Sequence, residues 1–247
     1  MRRRTLLRAA VGLLTAWGLA GIPASAGEDP AQPAPRTKEY PWMSVASWNQ
    51  RHEAFLKRAK EGKADLLFLG DSITEGWGTN AVWQKHYAPL NAANLGIGGD
   101  TTQNVLWRIA NGEIDGLAPK AVVLMIGTNN FGLHGDKPDD VVRGIVAVVA
   151  ALRKKLPATK ILLLGIFPRD EKAGAPIRKS IQAVNAQIAT LENGKTVRYL
   201  DVGAKLCDAK GDLSKDVMPD FLHLSEKGYA IWAEAMHPLL QQVMAKP

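Results

Sequence analysis

The chain has 247 residues, 46% of them hydrophobic and 22% charged, which excludes a disordered or membrane-embedded protein and supports one sizeable core. The formal charge is +7, but the first 26 residues carry four arginines and no acid, so about +3 remains without them. No clustered basic and aromatic pattern is present, so nucleic acid is not an expected partner. Cys207 is the only cysteine, which excludes an intramolecular disulfide.

The N-terminus has the pattern of an export signal. Arginines at positions 2, 3, 4 and 8 precede an apolar run over residues 9–20, and Ala24-Ser25-Ala26 resembles a cleavage site. We expect a signal peptide over residues 1–26, of the general secretory or twin-arginine type. The run is short for a retained membrane anchor, so we predict a periplasmic or secreted protein without stable membrane insertion after cleavage.

Beyond the leader, residues 27–44 are rich in proline and predict an extended linker or N-terminal arm. Residues 45–247 predict one domain in which helices and strands alternate. Helices are predicted at about 45–61, 81–86, 101–109, 141–152 and 177–191, and from 225 onward. Strands are predicted at about 65–69, 91–95, 121–126, 160–166 and 197–200. This alternation implies right-handed crossovers and a three-layer α/β/α domain around a parallel sheet of about five strands.

The first predicted strand ends abruptly in Gly70-Asp71-Ser72. Ligands of parallel sheets collect beyond the carboxyl ends of the strands, so Ser72 lies where chemistry is usually done. An ordinary polar turn after a core strand is the alternative, because such turns commonly contain glycine, aspartate and serine.

An acid and a histidine, Asp220 and His223, stand three residues apart just before the last predicted helix. A serine hydroxyl needs a positioned imidazole to take its proton, and a carboxylate can orient that imidazole. A capping aspartate beside a half-buried histidine, or a metal-binding pair, explains the same two residues. No second cluster with metal-ligand spacing occurs in the sequence, which disfavours the metal.

Two further strand ends carry hydrogen-bond donors suited to a developing oxyanion. Gly99 offers a backbone N–H in a glycine turn, and Asn129 offers its side-chain amide after the third strand. The backbone N–H of Ser72 is the third candidate. For each turn taken separately, the alternative is that the glycine or asparagine serves only to form the turn.

Together, Gly70-Asp71-Ser72, Gly99, Asn129 and Asp220-x-x-His223 resemble the four ordered blocks of the SGNH (GDSL-type) hydrolases. Within that superfamily the chain is most similar to the catalytic subunits of platelet-activating-factor acetylhydrolase. The segments that carry this similarity are 94–102, 105–108, 127–130 and 220–224.

The resemblance implies a flavodoxin-like sheet and hydrolysis of acyl esters without metal or cofactor. It assigns Ser72 as nucleophile, Asp220 and His223 as the rest of the triad, and Ser72, Gly99 and Asn129 as the oxyanion hole. It is also compatible with a homodimer. Supporting or substrate-binding roles fall to Asp71, Asp100, Asn130 and Leu222. Pocket-lining candidates are Trp77, Trp83, Phe131 and Leu222, with core packing as the alternative for the tryptophans.

The sequence therefore predicts an exported serine esterase acting on short acyl esters, preferably acetyl esters. The substrate is a small-molecule, glycan or lipid ester, so a xylan-type polysaccharide O-acetylesterase and a lysophospholipase-like lipid esterase are alternatives. A metal-dependent hydrolase is a third. From another class, a glycan- or lipid-binding protein that keeps the fold without catalysis is the rival hypothesis.

Overall fold

The structure is a computed structural model that describes residues 28–78 and 80–245. The predicted signal peptide over residues 1–26 lies outside the described residues. The α-helices are α1 (Val45–Lys60), α2 (Ser72–Glu75), α3 (Ala81–His86), α4 (Thr102–Ala110), α5 (Pro138–Lys155), α6 (Pro176–Ile188) and α7 (Glu226–Met244). The strands are β1 (Leu66–Gly70), β2 (Ala92–Gly96), β3 (Ala121–Met125), β4 (Lys160–Leu164) and β5 (Val197–Leu200).

The five strands form one parallel sheet in the order β2-β1-β3-β4-β5. This is the flavodoxin-like order, in which β2 is added on one side of β1 and the later strands on the other side. The predicted fold class is confirmed. The order brings the carboxyl ends of β2, β1 and β3 next to one another, and the loops that follow these three strands carry the predicted nucleophile and oxyanion donors.

Both faces of the sheet are covered because successive side chains of each strand point to opposite sides. Leu67 and Leu69 of β1 pack with α4, α5 and α6, whereas Leu66 and Phe68 pack with α2, α3 and α7. Helix α5 buries a stripe at helical spacing, which includes Val141, Ile145, Val148, Val149 and Leu152. The result is the predicted three-layer arrangement.

Two of the short helices that the hydrophobic pattern did not indicate lie beside the predicted site residues. Helix α2 begins at Ser72, and the Asp71 side chain caps it by accepting a hydrogen bond from Ile73 N–H at 3.0 Å. A π-helix spans Asn130–His134, directly after Asn129. Helices of four or five residues contain too few positions to produce a recognisable period.

The described part of the predicted linker or arm, residues 28–44, packs against α4. Thr102 Oγ1 donates to the Pro30 carbonyl at 2.9 Å, and Asn104 Nδ2 donates to the Ala34 carbonyl at 3.1 Å. The Ala34 N–H in turn donates to the Gln103 carbonyl at 3.1 Å. The segment is thus an arm fixed to the domain beside the carboxyl end of the sheet. None of the described helices has the length and apolar character needed to cross a membrane.

Candidate active site

Three side chains brought together at the carboxyl edge of the sheet form a hydrogen-bonded series. Ser72 Oγ lies 2.9 Å from His223 Nε2, and His223 Nδ1 lies 2.6 Å from Asp220 Oδ2. A carboxylate at Nδ1 favours the tautomer that carries its proton there, which leaves the Nε2 lone pair facing the serine hydroxyl. The arrangement is the one that activates a serine for nucleophilic attack.

The loop before α7 holds the acid and the base in place. Asp220 Oδ1 accepts hydrogen bonds from the N–H groups of His223, at 2.7 Å, and Leu222, at 3.0 Å. Phe221, which follows Asp220, has a φ of 58°, a left-handed conformation that is uncommon for an aromatic residue and typical of constrained sites. Partial burial raises the pKa of Asp220, but hydrogen bonds from the His223 ring and from the two amides outweigh it and hold that pKa below its ordinary value. The carboxylate is therefore ionised at neutral pH.

The three residues that carry the candidate oxyanion donors lie together at one cleft. Ser72, Gly99 and Asn129 all line one cleft. Among the described residues, none accepts a hydrogen bond from the backbone N–H of Ser72 or Gly99. Asn129 Nδ2 donates to the Asp100 carbonyl at 3.0 Å, which fixes the amide while leaving its second hydrogen for a ligand. These donors are placed to stabilise negative charge on an oxygen atom of a ligand that lies next to Ser72.

Of the predicted supporting residues, Asp100 is buried beneath the glycine turn. Its carboxylate accepts a hydrogen bond from Trp48 Nε1 at 2.7 Å, and forms ion pairs with Arg36 at 3.1 Å and Arg108 at 2.8 Å. Arg108 also pairs with the buried Glu113. Asp100 is fully buried and is not among the residues that line the cleft, which suits a role in supporting the turn.

The other supporting candidates divide between the interior and the cleft. Asp71 is fully buried, and burial raises its pKa to about 7. Asn130 is also buried, where its side chain accepts from Thr102 N–H at 3.0 Å and donates to Asp136 at 2.9 Å. Leu222 lines the cleft beside His223, so it is the one of these residues placed to touch substrate.

The cleft itself has a volume of about 420 Å³. Trp77 and Trp83 do not line it, since both are buried in an aromatic cluster around Phe68. Phe131, the third aromatic candidate, packs against the opposite core. The aromatic wall is instead Trp42, a residue of the arm that the sequence analysis did not single out.

Charged residues that were not predicted also line the cleft. Arg51 of α1 forms an ion pair with Glu75 of α2, and Glu75 Oε2 accepts the Gly98 N–H at 2.6 Å. Arg169 also lines the cleft and donates a hydrogen bond to the Thr128 carbonyl at 3.3 Å. In residues 28–78 and 80–245, no group of three or more histidine, cysteine or acidic side chains is arranged to hold a metal ion.

This geometry agrees with what the chain is similar to. A sequence model of the GDSL-like lipase/acylhydrolase family matches residues 68–231, the span from the strand that precedes Ser72 into α7. The chain belongs to this family. Membership of the GDSL acylhydrolases makes it a carboxylic ester hydrolase.

The relatives of this GDSL acylhydrolase include subunits of platelet-activating factor acetylhydrolase IB. It is 37% identical over 198 residues to platelet-activating factor acetylhydrolase IB subunit alpha2 of Rattus norvegicus, covering 80% of this chain and 85% of the relative. It is 34% identical over 216 residues to subunit alpha1 of Homo sapiens, covering 86% and 92%.

Solved structures show the same fold. A GDSL-like lipase from Bacteroides thetaiotaomicron superposes with a TM-score of 0.63 at 19% identity, covering 77% of this chain and 97% of that one. An acetylxylan esterase from Geobacillus stearothermophilus superposes with a TM-score of 0.57 at 21% identity, covering 75% and 95%. At these identities the likeness concerns the fold alone.

Proposed function

We propose that this acylhydrolase is a serine esterase in which Ser72 is the nucleophile, His223 the general base and Asp220 the residue that orients the base. The observation that carries the proposal is the hydrogen-bonded series from Ser72 Oγ through the His223 ring to Asp220, with distances of 2.9 and 2.6 Å. A serine hydroxyl is a weak nucleophile at neutral pH unless such a base removes its proton.

In the acylation step, Ser72 Oγ attacks the ester carbonyl while its proton passes to His223 Nε2. The negative charge on the former carbonyl oxygen is stabilised by the N–H groups of Ser72 and Gly99 and by the Asn129 amide. Collapse of this intermediate breaks the bond to the alcohol oxygen, which takes the proton from His223. The products are a free alcohol and an acyl group bound to Ser72.

In the deacylation step, His223 removes a proton from a water molecule that attacks the acyl-enzyme. The second tetrahedral intermediate uses the same donors, and its collapse returns the proton to Ser72 Oγ and releases the carboxylic acid. Asp220 stays ionised throughout and stabilises the imidazolium that forms in both steps. Each turnover consumes one ester and one water.

We further propose a short acyl group, acetyl above all, as the acyl side of the substrate. The support is comparative, since the named relatives are acetylhydrolase subunits. Export to the periplasm or the medium is proposed from the leader pattern of residues 1–26. Mass spectrometry of the mature protein tests it, with an N-terminus at Gly27 as the expected result and retention of the full leader as the contrary one.

The decisive experiment measures hydrolysis of p-nitrophenyl esters of increasing acyl length by the wild-type protein, Ser72→Ala and Ser214→Ala. Ser214 is an exposed serine between β5 and α7 and serves as the matched control. We expect activity highest on the acetate, abolished in Ser72→Ala and unchanged in Ser214→Ala, with fluorophosphonate labelling lost only in Ser72→Ala. A folded wild-type protein that hydrolyses no ester would instead favour the non-catalytic binding protein.

A further inference from the structure

A single peptide group joins the arm to the candidate oxyanion hole. The Gly98 carbonyl accepts a hydrogen bond from Arg36 Nη2 at 2.7 Å. The N–H of the same peptide belongs to Gly99 and is one of the three candidate oxyanion donors. Because a trans peptide directs its C=O and N–H in opposite directions, the bond to Arg36 turns this N–H away from the guanidinium.

This peptide group needs a restraint because both flanking residues are glycine. Without Cβ atoms, the backbone torsions on either side of the peptide meet little steric resistance to rotation. Gly99 already has a φ of +75°, in the region that favours glycine. A rotated peptide would present the carbonyl oxygen to the cleft, where it would repel an oxyanion.

Arg36 is well placed to prevent that rotation. Its side chain is only 3% exposed, and its Nη2 is also 3.1 Å from the buried carboxylate of Asp100. Trp48 Nε1 donates to the same carboxylate oxygen at 2.7 Å. Arg36 is the only described residue whose side chain or backbone donates to the Gly98 carbonyl. The guanidinium is thus held in a fixed position behind the peptide.

We propose that Arg36 is a positioning residue for the oxyanion hole, acting from the N-terminal arm through the Gly98–Gly99 peptide. The inference rests on the proposed function and extends it. The charge-assisted bond keeps the Gly99 N–H directed into the cleft. It also polarises the peptide, which strengthens the hydrogen bond that its N–H donates, since linked hydrogen bonds reinforce one another.

The test compares Arg36→Ala with the wild-type protein on p-nitrophenyl acetate. We expect kcat to fall by at least about 10-fold. The upper limit is the roughly 10²–10³-fold that loss of one oxyanion-hole donor costs. KM should stay within about twofold of the wild-type value. Affinity for an alkylboronic acid, whose adduct with Ser72 resembles the tetrahedral intermediate, should fall in parallel with kcat/KM. Added guanidinium at tens of millimolar should restore part of kcat in Arg36→Ala and none in Ser72→Ala.

A matched control separates this role from a general loosening of the arm. Asp29→Ala removes the exposed ion pair between Asp29 and Arg143, 3.1 Å long, and leaves the Gly98–Gly99 peptide untouched. It should retain wild-type kcat. If circular dichroism shows that Arg36→Ala is unfolded, Arg36→Met is tested in its place with the same expected results. Methionine keeps most of the apolar stem of the arginine side chain.

The inference is overturned by a folded Arg36→Ala or Arg36→Met with kcat within twofold of wild type, by a change in KM alone, or by an equal loss in Asp29→Ala. If wild type is active, Ser72→Ala is inactive and Arg36→Ala is fully active, only the role of Arg36 fails. If wild type hydrolyses no ester, the proposed function itself fails.

Discussion

Among single residues of the site, Gly99 leaves no room for a side chain. A Cβ added to Gly99 would overlap the Trp42 indole ring and approach Arg36 Nη2 to 3.0 Å. The backbone there is left-handed, which costs about 1–2 kcal/mol for an L-residue with a side chain. Glycine is therefore required both by the conformation and by the arm that packs on it.

We predict that Gly99→Ala lowers kcat on p-nitrophenyl acetate by roughly 10²–10³-fold, because a displaced amide is a lost oxyanion donor. Gly194→Ala is the matched control, since Gly194 has a similar φ of +68° with no atom near its Cβ position. Thermal unfolding should show a backbone cost alone in Gly194→Ala and a larger loss in Gly99→Ala, where the overlap with Trp42 adds to it. A Gly99→Ala protein with near-normal kcat would contradict the assignment of this amide to the oxyanion hole.

At the scale of elements, the arm forms part of the cleft wall. Trp42 is 54% exposed, which is unusual for so large an apolar side chain, and it stacks on Tyr40 at a ring distance of 4.7 Å and an interplanar angle of 9°. Such a stack is rigid and presents apolar surface to whatever occupies the cleft. Its position beside Gly99 places it against one side of a bound ester.

We predict that Trp42→Ala raises KM for aryl acetates by roughly 2- to 12-fold, the range expected for one aromatic stacking contact. KM for ethyl acetate should change little, because its alcohol portion has no ring to stack. Steady-state kinetics on p-nitrophenyl, 2-naphthyl and ethyl acetate measure the difference, and Trp42→Phe should retain most of the preference. An equal rise in KM for all three esters would show that Trp42 shapes the site without contacting the ring.

At the scale of the whole molecule, a buried acid, Asp71, lies between the end of strand β1 and the proposed nucleophile Ser72. The Asp71 carboxyl is fully buried, with one oxygen bonded to Ile73 N–H and the other without a hydrogen-bond partner among the described residues. Burial raises its pKa from 3.8 to about 7. Between about pH 4 and pH 7 the folded state therefore holds a proton that the unfolded state releases, so this group makes stability fall as pH rises.

We predict that the melting temperature of the wild-type protein falls from pH 5 to pH 8 more steeply than that of Asp71→Asn. Asparagine keeps an acceptor for Ile73 N–H and removes the buried charge, and each pKa unit between folded and unfolded states is worth about 1.4 kcal/mol. Asp216→Asn, at a highly exposed acid, should behave like wild type. Parallel pH profiles for wild type and Asp71→Asn would contradict a raised pKa at Asp71.

The fold class, the sheet of five strands and the edge at which the candidate residues meet could all be predicted from the sequence. These properties follow from local patterns: buried runs of about five residues, helices at regular spacing, and polar residues directly after strand ends. Right-handed crossovers then place successive loops at one edge of a parallel sheet. Ser72, Gly99, Asn129 and His223 could be selected this way because their positions depend on strand ends and on the start of α7.

The residues that surround that site depend on how distant parts of the chain pack together. Arg36 contacts Gly98 across 62 residues of sequence, and Trp42 reaches the cleft from a segment with no periodic pattern. Asp100 and Asn130 face the interior, and Trp77 and Trp83 fill the core, because the direction of a side chain depends on which elements pack around it. Contacts of this kind arise when distant segments fold against one another, so no local window of sequence contains the information that specifies them.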